Sequence, residues 1–292
     1  MGATVCVTGA SGYIASWLVK LLLRRGYTVR ATVRDLGDSG KIEHLKTLQG
    51  ADQRLHLIQA SLTEEGSFDS AVRGCEYVFH LASPVLASSS ASDPQRQLVE
   101  PAVNGTLNVL KSCAGAAPSV KRVILTASIS SVIYTGKPSS PPDVPIDETW
   151  HSDPEFCASN GEFYPLSKTL AEQAAWKFSS ENDIDLVTIH PGFVIGPVLQ
   201  PYLTLTPKSM LKLITEGKPF FPTGIYRFVD VRDVATAHIL AAENPEARGR
   251  YCVVSRVIHS SEALAIVKQT FPSLHLPPMS FGWWCYSSAG VS

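Results

Sequence analysis

The sequence predicts a doubly wound α/β fold, a parallel sheet with helices on both faces and a smaller lobe at its carboxyl edge. Three observations carry this. Short apolar runs of strand length alternate with stretches of helical periodicity through residues 3–190. Successive runs are joined by helices rather than tight turns, so each connection is a crossover and the strands lie parallel. The first run also leads through a glycine-containing turn straight into an amphipathic helix.

Ala3-Thr-Val-Cys-Val-Thr8 reads as a fully buried first strand. Ile14, Trp17, Leu18, Leu21 and Leu22 then recur at helical spacing, and Gly26 ends that helix. Further strands are expected at 28–33, 55–58, 77–81, 122–126 and 185–189. Asp93-Pro94 has the form of an N-cap followed by proline at the first helical position. The helix it opens is expected to bury Val99, Val103, Leu107 and Leu110. Residues 136–160 read as a long loop, of the kind that is functional or disordered, and a helix should span 162–180. Beyond residue 190 proline and glycine break the pattern, with helical stretches near 207–216, 230–243 and 260–270. The expected organisation is therefore a nucleotide-binding domain over 1–190, a substrate lobe over 191–278 that partly returns to the core, and an atypical tail over 279–292.

Composition excludes several classes. With 25 basic and 26 acidic residues the net charge is -1, and no basic block offers a nucleic-acid footprint. No apolar run reaches membrane-spanning length, since Lys20 interrupts the best one. The six cysteines and eight histidines show no metal-ligand or disulfide spacing, so no metal is expected. Position 6 is Cys, against myristoylation at Gly2. A reducing, cytoplasmic setting fits, with a monomer or weak dimer.

Gly9-Ala-Ser11-Gly12-Tyr13-Ile14-Ala15 lies between the first strand and helix. Glycines there let the backbone approach a pyrophosphate, and the helix N-terminus supplies free N–H groups and partial positive charge. Arg34 stands at the end of strand two, where a carboxylate would select a free ribose 2′-hydroxyl. A charge-assisted bond from Arg34 to a 2′-phosphate is worth about 1.5–3 kcal/mol, which favours NADPH over NADH. Lys41 is a candidate second cation.

Tyr164-Pro-Leu-Ser-Lys168 starts a helix, and residues four apart share a face. An ammonium about 4 Å from a phenol at an effective dielectric of about 20 attracts the phenolate by about 4 kcal/mol, enough to bring its pKa from about 10 to about 7. Ser128 follows strand five, at the carboxyl edge where ligands of such sheets gather. It is placed to hydrogen-bond a carbonyl oxygen beside Tyr164. Asn104, in mid-helix, is a candidate either to hold a water linking Lys168 to solvent or to brace local backbone. His80, in a strand, reads as a satisfied core histidine.

Together these residues resemble the extended short-chain dehydrogenase/reductase family, in its plant dihydroflavonol reductase and cinnamoyl-CoA reductase-like branch. The matching strings are 7–16, 31–35, 78–84, 104–109, 164–172, 190–192, 230–235 and 249–251. The resemblance implies a Rossmann domain, NADPH, and Ser128, Tyr164 and Lys168 as the catalytic triad. It further implies cofactor contacts from Gly9, Ser11, Gly12, Tyr13, Ile14, Arg34, Lys41, Ser61, Leu62, Ala82, Lys168 and Pro191.

Four features depart from the family pattern. Ser61-Leu62 replaces an Asp-Leu whose carboxylate contacts adenine. Ile133 stands where dihydroflavonol reductases carry Asn or Asp. Gly161-Glu-Phe-Tyr-Pro-Leu-Ser-Lys168 differs from the Asn-Trp-Tyr-Cys-Tyr-Gly-Lys of cinnamoyl-CoA reductases. The tail from Met279 has no family likeness, and Trp283 and Trp284 add apolar surface.

The expected activity is NADPH-dependent reduction of a small-molecule carbonyl: an aromatic aldehyde, a ketone or a hydroxycinnamoyl-CoA. Dihydroflavonol or tetraketide pyrone reduction is the alternative, and a non-catalytic NADP-binding isoform is a reading of another class. Val132, Ile133, Phe193 and Val194 are expected to line an apolar substrate pocket.

Overall fold

The computed structural model describes residues 2–84, 92–137, 145–221 and 223–277. Seven strands form one parallel sheet in the order β3-β2-β1-β4-β5-β6-β9. They are β1 (Thr4–Thr8), β2 (Thr28–Val33), β3 (Leu55–Gln59), β4 (Tyr77–His80), β5 (Arg122–Thr126), β6 (Leu186–Pro191) and β9 (Gly249–Val253). The central strands are buried because helices cover both faces, which is why they read as unbroken apolar runs. Strand order reverses between β1 and β4, and the crevice beyond their carboxyl ends is the usual ligand position in such sheets.

Helices α1 (Tyr13–Arg24), α2 (Ser39–Lys46), α3 (Ala51–Arg54) and α4 (Asp69–Val72) connect the first strands. A π turn at Gln95–Val99 runs into α5 (Glu100–Gly115), and the Asp93 carboxylate accepts from Arg96 N at 3.2 Å, as an N-cap should. Of the four residues expected inward, Val99 and Leu110 are buried and Val103 and Leu107 half-buried, while Ala102, Gly105, Thr106, Val109 and Cys113 complete the buried face. The small residues turn inward because α5 packs closely against α8 (Phe163–Glu181). Between them lie α6 (Ser130–Ile133) and α7 (Pro154–Ser159). The latter helix falls inside the expected loop, and Asp153-Pro154 starts it with the same cap-and-proline signature as Asp93-Pro94.

A second sheet, in the order β10-β8-β7, joins β7 (Phe193–Ile195), β8 (Ile225–Asp230) and β10 (Arg256–His259). It packs with α9 (Leu205–Glu216) and α11 (Ser260–Thr270) around a cluster of Phe193, Leu213, Tyr226, Phe228 and Leu264. Helix α10 (Val231–Glu243) lies instead against α1 of the main unit. Among the described residues no helix is long and apolar enough to cross a membrane. Cys6, Cys75, Cys113 and Cys157 are buried free thiols. The atypical tail, with Trp283, Trp284 and Cys285, lies outside the described residues.

Candidate active site

The Gly-rich turn comes first. Gly9 has φ +65°, and a Cβ there would meet Ala82 Cα at 2.9 Å, so only glycine fits between β1 and the β4 exit. Gly12 caps α1 with no side chain on the first-turn N–H groups. Those donors therefore remain available to an anionic ligand. The Tyr13 hydroxyl is spent on the Gly196 carbonyl at 2.7 Å, so Tyr13, like Ile14, has its backbone to offer. The Ser11 carbonyl accepts from Gln200 Nε2 at 3.2 Å.

At the end of β2, Arg34 is exposed and makes no hydrogen bond or ion pair with the described residues. Asp35 turns into its own loop, accepting from Gly37 N at 2.7 Å. Lys41 is already paired with Asp38 at 2.8 Å, a surface pair that costs little to break. Ser61 bonds Thr63 Oγ1 at 3.0 Å. Leu62 sits on α5: a Cβ on Gly105 would meet its Cβ at 2.7 Å, and Asn108 Nδ2 donates to its carbonyl at 2.9 Å. An uncapped helix start, a turn no side chain can fill and an unpartnered guanidinium together fit a phosphorylated dinucleotide.

His80, at the end of β4, is held in one tautomer. Leu81 N and Ala82 N donate to Thr8 Oγ1 at 3.1 and 3.0 Å, so the Thr8 hydroxyl hydrogen points to His80 Nδ1 at 2.9 Å. Thr106 donates to the Ala102 carbonyl at 2.8 Å, leaving its oxygen to accept from His80 Nε2 at 3.3 Å. Burial, with Lys168 adding to it, pushes the His80 pKa down to about 3. The ring is thus neutral and fully partnered, as a core histidine should be.

Helix α8 carries Tyr164 and Lys168 one turn apart. Tyr164 is part-exposed, and its phenol is in hydrogen-bond contact with the Ser128 side chain. Ser128 is 8% exposed, and its Oγ accepts from Ser130 N at 3.2 Å. Lys168 is buried, donates to the Thr126 carbonyl at 3.3 Å, and is brought down to about 8 by that burial. The expected depression of the Tyr164 pKa does not hold here. Burial raises it, and only the Ser128 contact works against that. The physical reason is that desolvation penalises the phenolate more than its neighbours favour it. A protonated phenol is the form that can give up a proton.

Asn104 is exposed on α5. Nearby Thr106 lines a small cavity with Ala82, Ser83, Thr126, Lys168 and Glu172. The expected substrate pocket is corrected by burial. Val132 is fully buried, Val194 belongs to the main core, and Phe193 to the aromatic cluster of the second sheet. Phe193 and Val194 are consecutive strand residues, so their side chains leave opposite faces and cannot line one pocket. Ile133 borders a cleft of about 270 Å³ with Tyr134, Phe156, Asn160 and Glu162. Pro191 is buried at the end of β6, its carbonyl accepting from Ile129 N at 3.0 Å.

A buried polar network behind Ser128 had no mark in the local sequence pattern. Glu172 accepts from Arg250 Nε at 2.7 Å and from Ser131 Oγ at 2.8 Å, and its Oε1 lies 3.2 Å from His190 Nε2. Burial raises the Glu172 carboxyl, but His190 and Arg250 outweigh it and hold the pKa at about 2.

A doubly wound sheet with a phosphate-ready turn at its switch point, facing a Ser–Tyr–Lys cluster, defines a nicotinamide-dependent oxidoreductase. The chain belongs to the NAD dependent epimerase/dehydratase family, whose model matches residues 5–254, and within it to the extended short-chain reductases. It is 57% identical to a cinnamoyl-CoA reductase of Medicago truncatula over 95% of this chain and 83% of that protein. It is 49% identical to tetraketide alpha-pyrone reductase 1 of Arabidopsis thaliana over 94% and 82% of the two chains. Among solved structures, the yeast methylglyoxal/isovaleraldehyde reductase in complex with NADPH superposes with a TM-score of 0.83. The two share 30% identity over 94% of this chain and 85% of that one. Vestitone reductase from alfalfa gives a TM-score of 0.79 at 34% identity, covering 94% and 84%. The protein is an enzyme, a reductase of the cinnamoyl-CoA reductase-like branch.

Proposed function

We propose that the protein reduces the carbonyl group of a phenylpropanoid- or polyketide-type substrate with NADPH, and that Ser128, Tyr164 and Lys168 do the chemistry. The observation that carries this reading is the interaction of the Tyr164 phenol with the Ser128 side chain, with Lys168 buried one turn further along the same helix. Bound NADPH supplies the hydride. Ser128 donates a hydrogen bond to the substrate oxygen, and Tyr164 delivers its proton to the same oxygen as negative charge develops there. Lys168 stays cationic below pH about 8 and orients the cofactor ribose.

Arg34 supports the choice of NADPH, because a lone exposed guanidinium at the end of β2 suits a 2′-phosphate. Gly9, Gly12 and the first-turn N–H groups of Tyr13 and Ile14 would hold the pyrophosphate, and Ala82 and Pro191 would border the nicotinamide side. Ser61 and Leu62 would border the adenine. The cleft beside Ile133 is the reading for the far end of the substrate, and residues 191–278 for the lobe that closes over it. Purified protein mixed with NADPH and a panel of cinnamoyl-CoA thioesters, pyrones and aromatic aldehydes should oxidise the cofactor with at least one of them. Tight NADPH binding without turnover on any would overturn the reading.

A further inference from the structure

The Ser128 hydroxyl can act only if its backbone is held at the right depth against α8. Three groups surround the Ser128 carbonyl oxygen: the Ser131 backbone N–H donates to it at 2.9 Å, and two side chains approach it. Ser131 Oγ lies 2.8 Å away and His190 Nδ1 lies 3.1 Å away. The single hydroxyl hydrogen of Ser131 goes to the carboxylate, so the Ser131 backbone N–H is the group that donates to Ser128, and the His190 ring also reaches Glu172. Its Oε2 is 2.8 Å from Ser131 Oγ and its Oε1 is 3.2 Å from His190 Nε2. Glu172 follows Lys168 by one helical turn and Tyr164 by two, so all three project from one side of α8.

From this arrangement we infer that Glu172 is a positioning residue, setting the Ser128 hydroxyl in register with Tyr164 through Ser131 and His190. The helix that carries the phenol and the ammonium thus also carries the group that places the serine. A shift of α8 moves all three together. Arg250 completes the device from β9. Its guanidinium bonds both Glu172 oxygens, at 2.7 and 3.2 Å, and also the carbonyls of Glu148 and Trp150 at 2.7 and 2.6 Å. Glu172 is 4% exposed, so its charge is tolerated only because these partners surround it. Nothing in the hydride or proton transfer requires a carboxylate at this point, and an apolar side chain would pack there more cheaply.

The inference rests on the reading of Ser128 as the hydroxyl that binds the substrate oxygen, and a double-mutant cycle separates the two. Ser128→Ala, Glu172→Gln and the double variant are compared by single-turnover NADPH oxidation, with NADPH affinity measured separately by fluorescence. Glu172→Gln should lower the rate by about 10- to 100-fold, the scale of a misplacement near 1 Å. It should leave NADPH affinity within about two-fold, since no cofactor contact is touched. In the Ser128→Ala background Glu172→Gln should cost nothing further, because the group it positions is gone. The same loss in both backgrounds would overturn the inference while leaving the role of Ser128 intact. No loss from Ser128→Ala would overturn that role and the inference with it. Where Glu172→Gln does not fold, Ser131→Ala keeps the buried charges balanced and enters the same cycle. It should lower the rate in the wild-type background and be silent beside Ser128→Ala, and an equal loss in both would again overturn the inference.

Discussion

The buried ammonium of Lys168 donates to the carbonyl oxygen of Thr126 across 3.3 Å, and the hydroxyl of the same threonine is turned away to His238 at 2.7 Å. His238 donates from Nδ1 to the Val234 carbonyl at 2.8 Å, so its Nε2 accepts from Thr126. The last residue of β5 is therefore fixed from both sides, and Lys168 is anchored to a group that cannot neutralise it.

An uncompensated buried cation costs stability. Burial lowers Lys168 from 10.5 to about 8. Below pH 8 both folded and unfolded chains carry the charge, and the fold bears the full desolvation cost. Between 8 and 10.5 the unfolded chain holds the extra proton, so this group's contribution makes stability rise with pH. Lys168→Met should therefore abolish turnover yet raise the melting temperature of the cofactor-free protein, by about 2–4 °C per kcal/mol recovered. The gain should be largest below pH 8 and fade toward pH 10.5. Calorimetry across that range checks it, and a variant less stable at every pH would contradict it.

Cofactor choice should reside in Arg34. Arg34→Ser removes a charge-assisted bond to the 2′-phosphate and should raise the KM for NADPH by about 10- to 150-fold. The KM for NADH should change far less, because NADH has no phosphate to lose. Parallel steady-state assays with the two cofactors measure the ratio.

Gly9→Ala should abolish cofactor binding with a modest effect on folding. Its methyl group would sit 2.9 Å from Ala82 Cα, and φ of +65° strains any residue with a Cβ. The turn would have to shift out of the crevice. Isothermal titration with NADPH reads the loss, and circular dichroism shows whether the fold survives.

Much of the fold was legible because the parallel strands are buried on both faces and read as continuous apolar runs, as in Val5-Cys-Val7 and Val123-Ile-Leu125. Tyr164 and Lys168 were legible because helical spacing alone puts them on one side of α8. The second sheet was not. Its strands are three to six residues long, and β8 is apolar on both faces where Tyr226, Phe228 and Val229 meet different neighbours. The Glu172 network was hidden for another reason. Glu172 and His190 stand 18 residues apart and Arg250 stands 60 beyond His190. They meet only because β6 pairs with β9 in the register Thr188↔Arg250. Facing failed at Val132 and Val194 because apolar character says that a residue is buried, not whether against a ligand or the core.

The central claim is that the Tyr164 phenol is the proton donor to a carbonyl oxygen. Burial keeps this phenol protonated at neutral pH, and Tyr164→Phe removes the proton while preserving the ring. Single-turnover NADPH oxidation with a substrate the wild type accepts is the most direct measurement. Loss of the proton donor should slow it by about 100- to 10,000-fold with NADPH affinity essentially unchanged. Oxidation at the wild-type rate by Tyr164→Phe would contradict the account.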